Sequence, residues 1–509
     1  MSTTTRTRPA TARGLDDSFR ALVRAEWTKF RTVRGWVIGM LIAALVTVVI
    51  VLLDHSSCGI VTPNGAPVGC SATIGPAGEA VTDDFYFAAQ PLTGNGSLTA
   101  RLTALTGQPS LGSWAKGGII MKASTRPGSA YAAIMLTGTQ GVRMQYDYTG
   151  DIAAPGKTAQ AGSVSAATPL WLRLVRSGDS VTGYESADGT AWTTVGTVTL
   201  AGLPGTIQAG LFATSPGTSR ITSESITGTS SSGGIAYATA VLDHVSLASS
   251  QPAGPWRGVA VGRPGPGTGF RHSGGRFAVT GSGDIAPGSP NDGGTPVERT
   301  LFGAVAGLIT LIVVAVMFMT AEYRRGLLRV SLAASPRRGR LLAAKALVIG
   351  SVSFAAALAG GLASVPLGEW LLRSNGNFIL PASGLTQARV IVGTAAILAI
   401  AALFALALGA IMRSTAGAIT TAIVTTVLPY LLATTMVLPA GAGDWLLALT
   451  PAAGFAIQQS QTAYPQVIAS YTPGNGYYPL APWAGFAVLC GYAIAAFALA
   501  LVLLRRRDA

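Results

Sequence analysis

The chain has 509 residues, of which 49% are hydrophobic and 11% are charged, and its mean hydropathy is +0.46. This composition is typical of an integral membrane protein and excludes an ordinary soluble or disordered protein. The 64 glycines and 28 prolines are many for a helical bundle alone. We therefore expect apolar helices together with a Gly-rich block outside the membrane.

Six apolar runs are long enough to cross the membrane, since a hydrocarbon core of about 30 Å takes about 20 helical residues. An even number of spans leaves both termini on the same side. The third span contains Lys345, which we expect to reach back to the interface, and Pro366, which we expect to kink the helix. The predicted spans are residues 36–53, 301–320, 342–372, 390–411, 415–438 and 483–504.

The net charge of +14 lies on one side of the predicted membrane. The segments 1–35, 321–345, 412–414 and 505–509 hold 19 of the 35 Lys and Arg but 5 of the 21 Asp and Glu, whereas residues 54–300 hold 14 of each sign. Lys and Arg near span ends stay on the cytoplasmic side. We predict a multi-pass plasma-membrane protein with both termini cytoplasmic and residues 54–300 extracytoplasmic. The charge then reflects topology, and we predict no nucleic-acid partner.

Residues 1–35 are predicted to form a cytoplasmic tail that ends in a helix over residues 17–34. Apolar side chains recur there at helical spacing, and basic side chains take the other faces. Such a basic amphipathic helix lies in the membrane interface. The residues that we assign to this interfacial helix are Trp27, Lys29, Arg31 and Arg34.

Residues 54–300 change from continuous apolar runs to alternating apolar and polar residues separated by turn residues. Residues 170–176 and 180–186 alternate in this way on either side of a Ser-Gly-Asp turn. Eight or more such strands predict an antiparallel β-sandwich, with its core at about 80–248, inserted between spans 1 and 2. The Gly/Pro-rich residues 249–299 are predicted to be a linker with one edge strand.

Several of these segments resemble the concanavalin-A-like, or laminin-G-like, jelly-roll sandwich of actinobacterial secreted proteins. The resemblance rests on residues 114–124, 171–179, 183–192 and 240–247. It implies a cell-wall glycan as a candidate ligand at the β-sandwich. Two alternatives stay open: the tryptophans are sugar platforms or core residues, and the first acidic pair binds calcium or caps a turn. These residues are Trp114, Trp171, Trp192, Asp83 and Asp84.

The chain has three cysteines. Cys58 and Cys70 both follow the first span closely and would lie outside the cell, where thiols are oxidised. We predict a disulfide between them, the alternative being two free thiols. Cys490 lies in the sixth span, where it is expected to be an apolar packing residue.

The segment 321–345 after the second span is rich in arginine. We predict a short amphipathic helix that presents Glu322 and the arginines to the cytosol, followed by a new helix that begins after Ser335-Pro336. Such an element suits mechanical coupling to a partner, the alternative being an ordinary basic loop. In 439–481, two short apolar stretches broken at Thr450-Pro451 predict re-entrant or interfacial helices or, alternatively, a surface loop.

The membrane part resembles actinobacterial ABC-2-type transporter permeases over residues 17–53 and 301–507. The resemblance rests on residues 25–34, 320–329, 335–345 and 449–459. In that family, the N-terminal helix and the loop after the second span contact an ATPase. The resemblance therefore implies ATPase-coupling roles for Glu322, Tyr323, Arg324, Arg325, Arg329, Arg337 and Arg338.

The function that this resemblance implies is that of the permease subunit of an ATP-binding-cassette exporter with an unidentified substrate. No phosphate-binding loop of the pattern G-x-x-x-x-G-K-[ST] occurs in the chain. We therefore expect no catalytic or metal-binding residues and no cofactor in this chain, with ATP and Mg bound by a separate ATPase subunit. Six spans rarely enclose a pathway alone, so we expect a homodimer or a paired permease. The alternative function is a membrane-anchored, glycan-binding sensor or adhesion protein.

Overall fold

The computed structural model describes residues 19–54, 59–61, 67–69, 72–156, 159–223, 229–250, 254–288, 294–324, 338–435, 438, 440–469 and 471–507. Within these residues, six helices are long and apolar enough to cross a membrane. A shorter amphipathic helix precedes them, and another short helix precedes the last. The helices are α1 (Phe19–Thr32), α2 (Arg34–Leu52), α3 (Ala304–Arg324), α4 (Arg338–Ser374), α5 (Gly384–Met412), α6 (Thr415–Thr434), α7 (Ala440–Leu449) and α8 (Pro482–Arg507).

The spanning helices surround α5, which contacts α3, α4, α6 and α8 and is the most buried of the six. Its small side chains let its neighbours approach closely, since alanine and glycine allow dense packing between helices in a membrane. The predicted spans agree with the observed helices except at their ends. Helix α6 ends at Thr434 rather than at residue 438, and α4 continues through Pro366.

Contacts between helix termini define the two ends of the bundle. At one end, which we call the Arg-rich end, α1 meets the end of α3 and the start of α4, and the start of α4 meets the end of α8. Arg338 there donates a hydrogen bond to the Leu504 carbonyl oxygen, and the Thr320 and Thr415 hydroxyls lie 2.8 Å apart. At the other end, which we call the β-domain end, the Arg299 guanidinium lies 3.3 Å from the Asp54 carboxylate.

The predicted break at Thr450-Pro451 is present. Helix α7 ends at Leu449, and a short 3₁₀ helix, Pro451–Gln458, follows with Thr450 at its N-cap. All eight residues of the 3₁₀ helix are buried, against α5, α6 and α8. The segment is therefore inserted into the β-domain end of the bundle and is not a surface loop.

Between α2 and α3 the chain forms 22 of its 23 described strands. Two antiparallel sheets of seven strands each have the orders β10-β9-β8-β7-β14-β5-β18 and β13-β12-β11-β6-β17-β20-β19. One apolar core contains side chains of both sheets, among them Ile119 and Leu211 of the first and Leu172 and Leu242 of the second. The sheets therefore face each other across a shared core.

The strands of the first sheet are β5 (Phe85–Thr93), β7 (Lys116–Lys122), β8 (Tyr131–Thr137), β9 (Val142–Tyr146), β10 (Gly150–Ala153), β14 (Thr206–Thr214) and β18 (Arg257–Val261). Those of the second are β6 (Gly96–Gln108), β11 (Leu170–Ser177), β12 (Ser180–Ser186), β13 (Thr193–Thr199), β17 (Tyr237–Ser249), β19 (Gly269–Ser273) and β20 (Arg276–Ser282). The shorter strands are β1 (Gly59–Val61), β2 (Pro67–Gly69), β3 (Thr73–Ile74), β4 (Ala80–Asp83), β15 (Thr218–Ser223), β16 (Thr229–Gly234), β21 (Ile285–Pro287), β22 (Gly294–Thr295) and β23 (Phe378–Ile379).

The first sheet is buried on its second face too, beneath a three-stranded layer of β3, β4 and β21. Two buried lysines of β7 hold this layer. The Lys122 ammonium lies 2.8 Å from the Asp83 carboxylate, and Lys116 lies 2.6 Å from Asp284. Asp83 also accepts hydrogen bonds from the Tyr148 hydroxyl and a backbone N–H, so its Oδ2 atom is engaged in a buried ion pair.

The β-domain extends beyond the predicted core boundary at residue 248. The segment predicted to be a linker contains β18, β19, β20 and β21. Strand β18 belongs to the first large sheet, and β20 belongs to the second. This Gly/Pro-rich segment has little apolar periodicity, yet its backbone groups pair with a neighbouring strand as well as those of any other residue. Strand β22 pairs in parallel with β23, which joins the end of this segment to the connection between α4 and α5.

Candidate functional site

Helix α1 carries one acidic residue on its apolar face. Glu26 lies one turn before Phe30, and both side chains are buried. Phe30 contacts Phe318 of α3, with ring centroids 6.2 Å apart, and Trp36 contacts the same ring at 4.9 Å. These aromatic contacts fix α1 against the bundle and turn Glu26 inward at the Arg-rich end.

Glu26 belongs to a network of two carboxylates and two ammonium groups from three helices, which we call the charge network: Glu26 and Lys29 of α1, Glu322 of α3 and Lys345 of α4. Lys345 lies 2.7 Å from Glu26 and 2.8 Å from Glu322. Lys29 lies 2.6 Å from Glu26 and 2.9 Å from Glu322. Each cation therefore bridges both anions, and the formal charges cancel.

Three of the four side chains of the charge network are almost inaccessible to solvent. Those of Lys345, Glu26 and Glu322 are 1%, 2% and 7% exposed, whereas that of Lys29 is 39% exposed. The Lys345 ammonium also lies 4.6 Å from the centroid of the Phe318 ring, a cation–π contact. Ions at such burial are retained only when they are paired, so the three helices are held in one arrangement.

Lys29 is the outer member of the charge network. Burial lowers the pKa of its ammonium, but the hydrogen bonds and negative charges of Glu26 and Glu322 outweigh this, and the pKa is raised above its ordinary value. Lys29 therefore stays charged at neutral pH. One oxygen of Glu322, Oε2, is buried and finds no hydrogen-bond partner among the described residues.

A cavity of about 690 Å³ lies at the β-domain end of the bundle. Its apolar wall comes from the end of α2 and from Phe302, and its polar wall comes from Glu298, from tyrosines of α6 and of the segment before α8, and from Gln458. Glu298 is 8% exposed and accepts a hydrogen bond from the Ser460 backbone N–H, but its Oε2 has no partner in the part of the chain that the structure describes.

A sequence model of the family described as "ABC-2 family transporter protein" matches residues 21–509. The chain belongs to this family. It is therefore a multi-pass membrane protein and a permease component of an ABC transporter, a transport protein rather than an enzyme. Membership in this family implies pairing with an ABC ATPase.

The solved structures that resemble this chain are remote. A member of the eqolisin family of peptidases, SCP-B in complex with the tripeptide Ala-Ile-His, is 10% identical, with a TM-score of 0.23 over 40% of this chain and all of the other. Scytalido-glutamic peptidase with a peptide-based transition-state analog is 11% identical, with a TM-score of 0.22 over the same shares.

A protein of unknown function from Saccharomyces cerevisiae is 13% identical, with a TM-score of 0.22 over 36% of this chain and 85% of the other. A likeness at this level implies nothing about the activity of the ABC-2 permease. No curated protein matches the chain. The predicted concanavalin-A-like type of the sandwich stays a prediction.

Three of the predicted ATPase-coupling residues have specific contacts in the structure, and one of them, Glu322, differs from expectation. Glu322, predicted to face the cytosol, is instead buried in the charge network, because Lys29 and Lys345 supply its counter-charges. The Tyr323 ring lies 5.2 Å from the Arg413 guanidinium. Arg338 begins α4 and bonds to the end of α8. The Arg324 side chain and the whole of Arg325, Arg329 and Arg337 lie outside the described residues.

The predicted interfacial residues occupy α1 and the start of α2. Trp27, Arg31 and Arg34 are exposed, whereas Lys29 is half-buried by its two carboxylate partners, and the interfacial role of the four stays a prediction. The Trp27 and Phe30 rings stack at 6.1 Å. Cys58 and Cys70 lie outside the described residues, so their disulfide stays a prediction, and Cys490 is a free, half-buried thiol in α8.

Sequence reasoning missed two members of the charge network. Lys345 was expected to reach the membrane interface, but it is 1% exposed because two carboxylates compensate its charge inside the bundle. Glu26 was not singled out, although an acid one turn from Phe30 on the apolar face of an amphipathic helix is unusual. A lone lysine in one apolar run and a lone acid on another apolar face are the signals that predict such a pair.

Proposed function

We propose that this chain is the permease subunit of an ABC exporter, which moves a substrate across the plasma membrane with energy from a separate ATPase subunit. The observation that carries the proposal is the charge network at the Arg-rich end. It joins α1, which precedes the first span, to the end of α3 and the start of α4. The end of α3 and the start of α4 flank the arginine-rich segment 325–337 in the sequence.

The charge network would make these three elements move as one body. Separating one member from its partners leaves a buried charge without compensation, which costs roughly 3–5 kcal/mol in proteins. A displacement of α1 or of the α3–α4 connection would therefore move α3 and α4 as well, because the paired charges resist local rearrangement. This is the mechanical property that a coupling element needs.

We propose that the Arg-rich end faces the cytosol, with both termini there and the β-domain outside. The distribution of charge supports this orientation, because 19 of the 35 Lys and Arg fall in segments at that end. The ATPase would then meet α1 and the arginines of the α3–α4 connection. Two permease copies, identical or paired with a related chain, would complete the pathway.

The test is to purify the tagged chain in mild detergent and to identify co-purifying proteins by mass spectrometry. We expect a stoichiometric soluble subunit with a phosphate-binding loop, whose ATPase rate depends on this chain. If no such partner appears under several gentle conditions, the exporter proposal fails. The alternative of a glycan-binding sensor or adhesion protein would then be tested with cell-wall glycans.

Matched variants test the coupling role. Glu322→Gln removes a charge from the charge network, whereas Glu369→Gln makes the same change in α4 at a carboxylate that pairs with Arg373 near the opposite end of that helix. We expect Glu322→Gln to lower the permease-dependent ATPase rate several-fold and Glu369→Gln to leave it unchanged. Equal rates in the two variants, with equal amounts of bound ATPase, would contradict the coupling role.

A further inference from the structure

The cavity at the β-domain end contains a buried acid with an unused oxygen. Glu298 is 8% exposed, and its Oε2 has no hydrogen-bond partner among the described residues. A buried carboxylate oxygen without a donor is costly, because it loses its hydration and gains nothing in return. Glu298 lines the cavity, so a small shift of its side chain would bring this oxygen to a ligand that supplies the missing donor.

Nearby cations of the chain do not fill this role. Arg389 acts on Glu298 through its charge, but its guanidinium donates a hydrogen bond to the Gln459 carbonyl oxygen. Arg299 pairs with Asp54. No ion pair within 4.0 Å joins Glu298 to a Lys, Arg or His of the described chain. Among the residues that the structure describes, none donates to Glu298 Oε2, which leaves this oxygen available to a donor from a ligand.

The rest of the cavity fits an organic cation with an apolar body. Three tyrosines line it, Tyr430, Tyr477 and Tyr478, and tyrosine rings attract ammonium groups through their π-faces. The lining also contains apolar side chains: Ile50, Val51 and Leu53 at the end of α2, together with Phe302 and Leu380. A volume of about 690 Å³ falls in the range of small-molecule sites, roughly 300–1,000 Å³.

We propose that this cavity binds amphipathic organic amines, with the protonated amine on Glu298 Oε2 and the apolar body against α2 and Phe302. Together with the proposed exporter function, on which this step rests, the binding site assigns amphipathic organic amines as the class of cargo. The tyrosine wall is held rigid: the Tyr430 ring stacks on Phe455 at 4.0 Å, and the Tyr478 backbone N–H donates to Gln459 Oε1 at 3.2 Å. A rigid wall lets the site discriminate by charge and shape.

The test uses the full-length chain in lipid nanodiscs without ATPase. The probes are dansylcadaverine, a fluorescent primary amine, and its N-acetyl derivative, which keeps the body but lacks the charge. Empty nanodiscs correct for partition into lipid. We expect the amine to bind at least tenfold more tightly than the acetylated probe. Equal binding of the two probes, or no amine binding above empty nanodiscs, would overturn the proposal.

Three variants assign the charge preference to Glu298. Glu298→Gln keeps an acceptor for the Ser460 N–H and should abolish the preference for the amine, whereas Glu369→Gln should keep it. Gly476→Ala keeps the acid but moves it, because a Cβ there would lie 2.5 Å from Glu298 Oε1 and alanine is strained at the φ of +85° that Gly476 adopts. We expect it to weaken amine binding at least threefold. A preference that survives Glu298→Gln in folded protein would assign the amine to another place.

The two proposals fail separately. If the chain binds amines but recruits no ATPase, the proposed amine site stands and the proposed exporter function is wrong. If the chain recruits and stimulates an ATPase but binds no amine, the proposed exporter function stands and the proposed cargo class is wrong.

Discussion

The Lys345 ammonium lies 2.7 Å from the Glu26 carboxylate, although 319 residues, including the whole β-domain, separate the two in sequence. Both side chains are almost fully buried. The contact ties the helix before the first span to the start of the third span. We therefore expect the stability of the Arg-rich end to fall strongly when either charge is removed.

Replacement of Lys345 should lower the stability of the protein strongly. Lys345→Met leaves the Glu26 Oε2 atom and part of Glu322 without a counter-charge, so we expect a loss of stability of about 3–5 kcal/mol. The measurement is the thermal unfolding midpoint of the full chain in one detergent. Lys29→Met is the matched control, because Lys29 is 39% exposed and water can replace it. Its midpoint should fall by less than half as much.

Removal of both partners should be milder than removal of one. In Glu26→Gln with Lys345→Met, the Lys29–Glu322 pair at 2.9 Å remains and no buried charge is left alone. We therefore expect the double variant to unfold at a higher temperature than Lys345→Met. Additive losses in this double-mutant cycle would show that the two side chains do not interact.

Helices α2 and α3 approach each other through glycine. A Cβ at Gly303 would lie 2.3 Å from the Thr47 carbonyl oxygen, which is backbone and cannot move aside alone. Gly303→Ala should separate the two helices and cost about 1–3 kcal/mol, as overpacking does. Gly491→Ala in α8 meets no atom within 4 Å. It should leave the unfolding midpoint unchanged or raise it, and equal losses would contradict the packing argument.

The β-domain should show an acid-dependent ion pair. The guanidinium of Arg101 contacts Asp243 through two hydrogen bonds of 2.6 and 2.9 Å, and this contact lowers the pKa of the Asp243 carboxyl. The stabilisation is present above the unfolded-state pKa of about 3.9 and is lost as pH falls through the lower folded-state pKa. Arg101→Met should therefore lower the unfolding midpoint at pH 7 and have a smaller effect near pH 3. If the difference in unfolding midpoint between the parent chain and Arg101→Met were the same at both pH values, this assignment of the ion pair would be wrong.

The orientation can be tested by labelling intact cells with a membrane-impermeant maleimide, in a Cys490→Ser background. Thr190→Cys places a thiol at an exposed site of the β-domain, and Thr32→Cys places one at the end of α1. We expect the first to react in intact cells and the second only after permeabilisation. The parent Cys490→Ser chain should not react at all if Cys58 and Cys70 form the predicted disulfide. Labelling that disappears only when both are changed to serine would contradict the disulfide.

The spans and many strands could be predicted from sequence because their signals are local. Strand β11 covers Leu170–Ser177 and is followed after a two-residue turn by β12, as alternation and the turn residues indicate. Strand β18 was harder, because the partner strand rather than the side-chain pattern makes it a strand. The two-sided burial of the first sheet was not predictable either, since it depends on the layer of β3, β4 and β21.

The sequence by itself determined the membrane class, the number of spans and the sorting of charge, since hydropathy and charge are properties of each segment alone. Only the tertiary structure decided that Lys345 and Glu322 are buried and paired, and that Glu298 Oε2 has no donor among the described residues. The physical reason is that the free energy of a charge depends on its neighbours. Some of those neighbours, such as Glu26 for Lys345, come from segments hundreds of residues away, which no local pattern brings together.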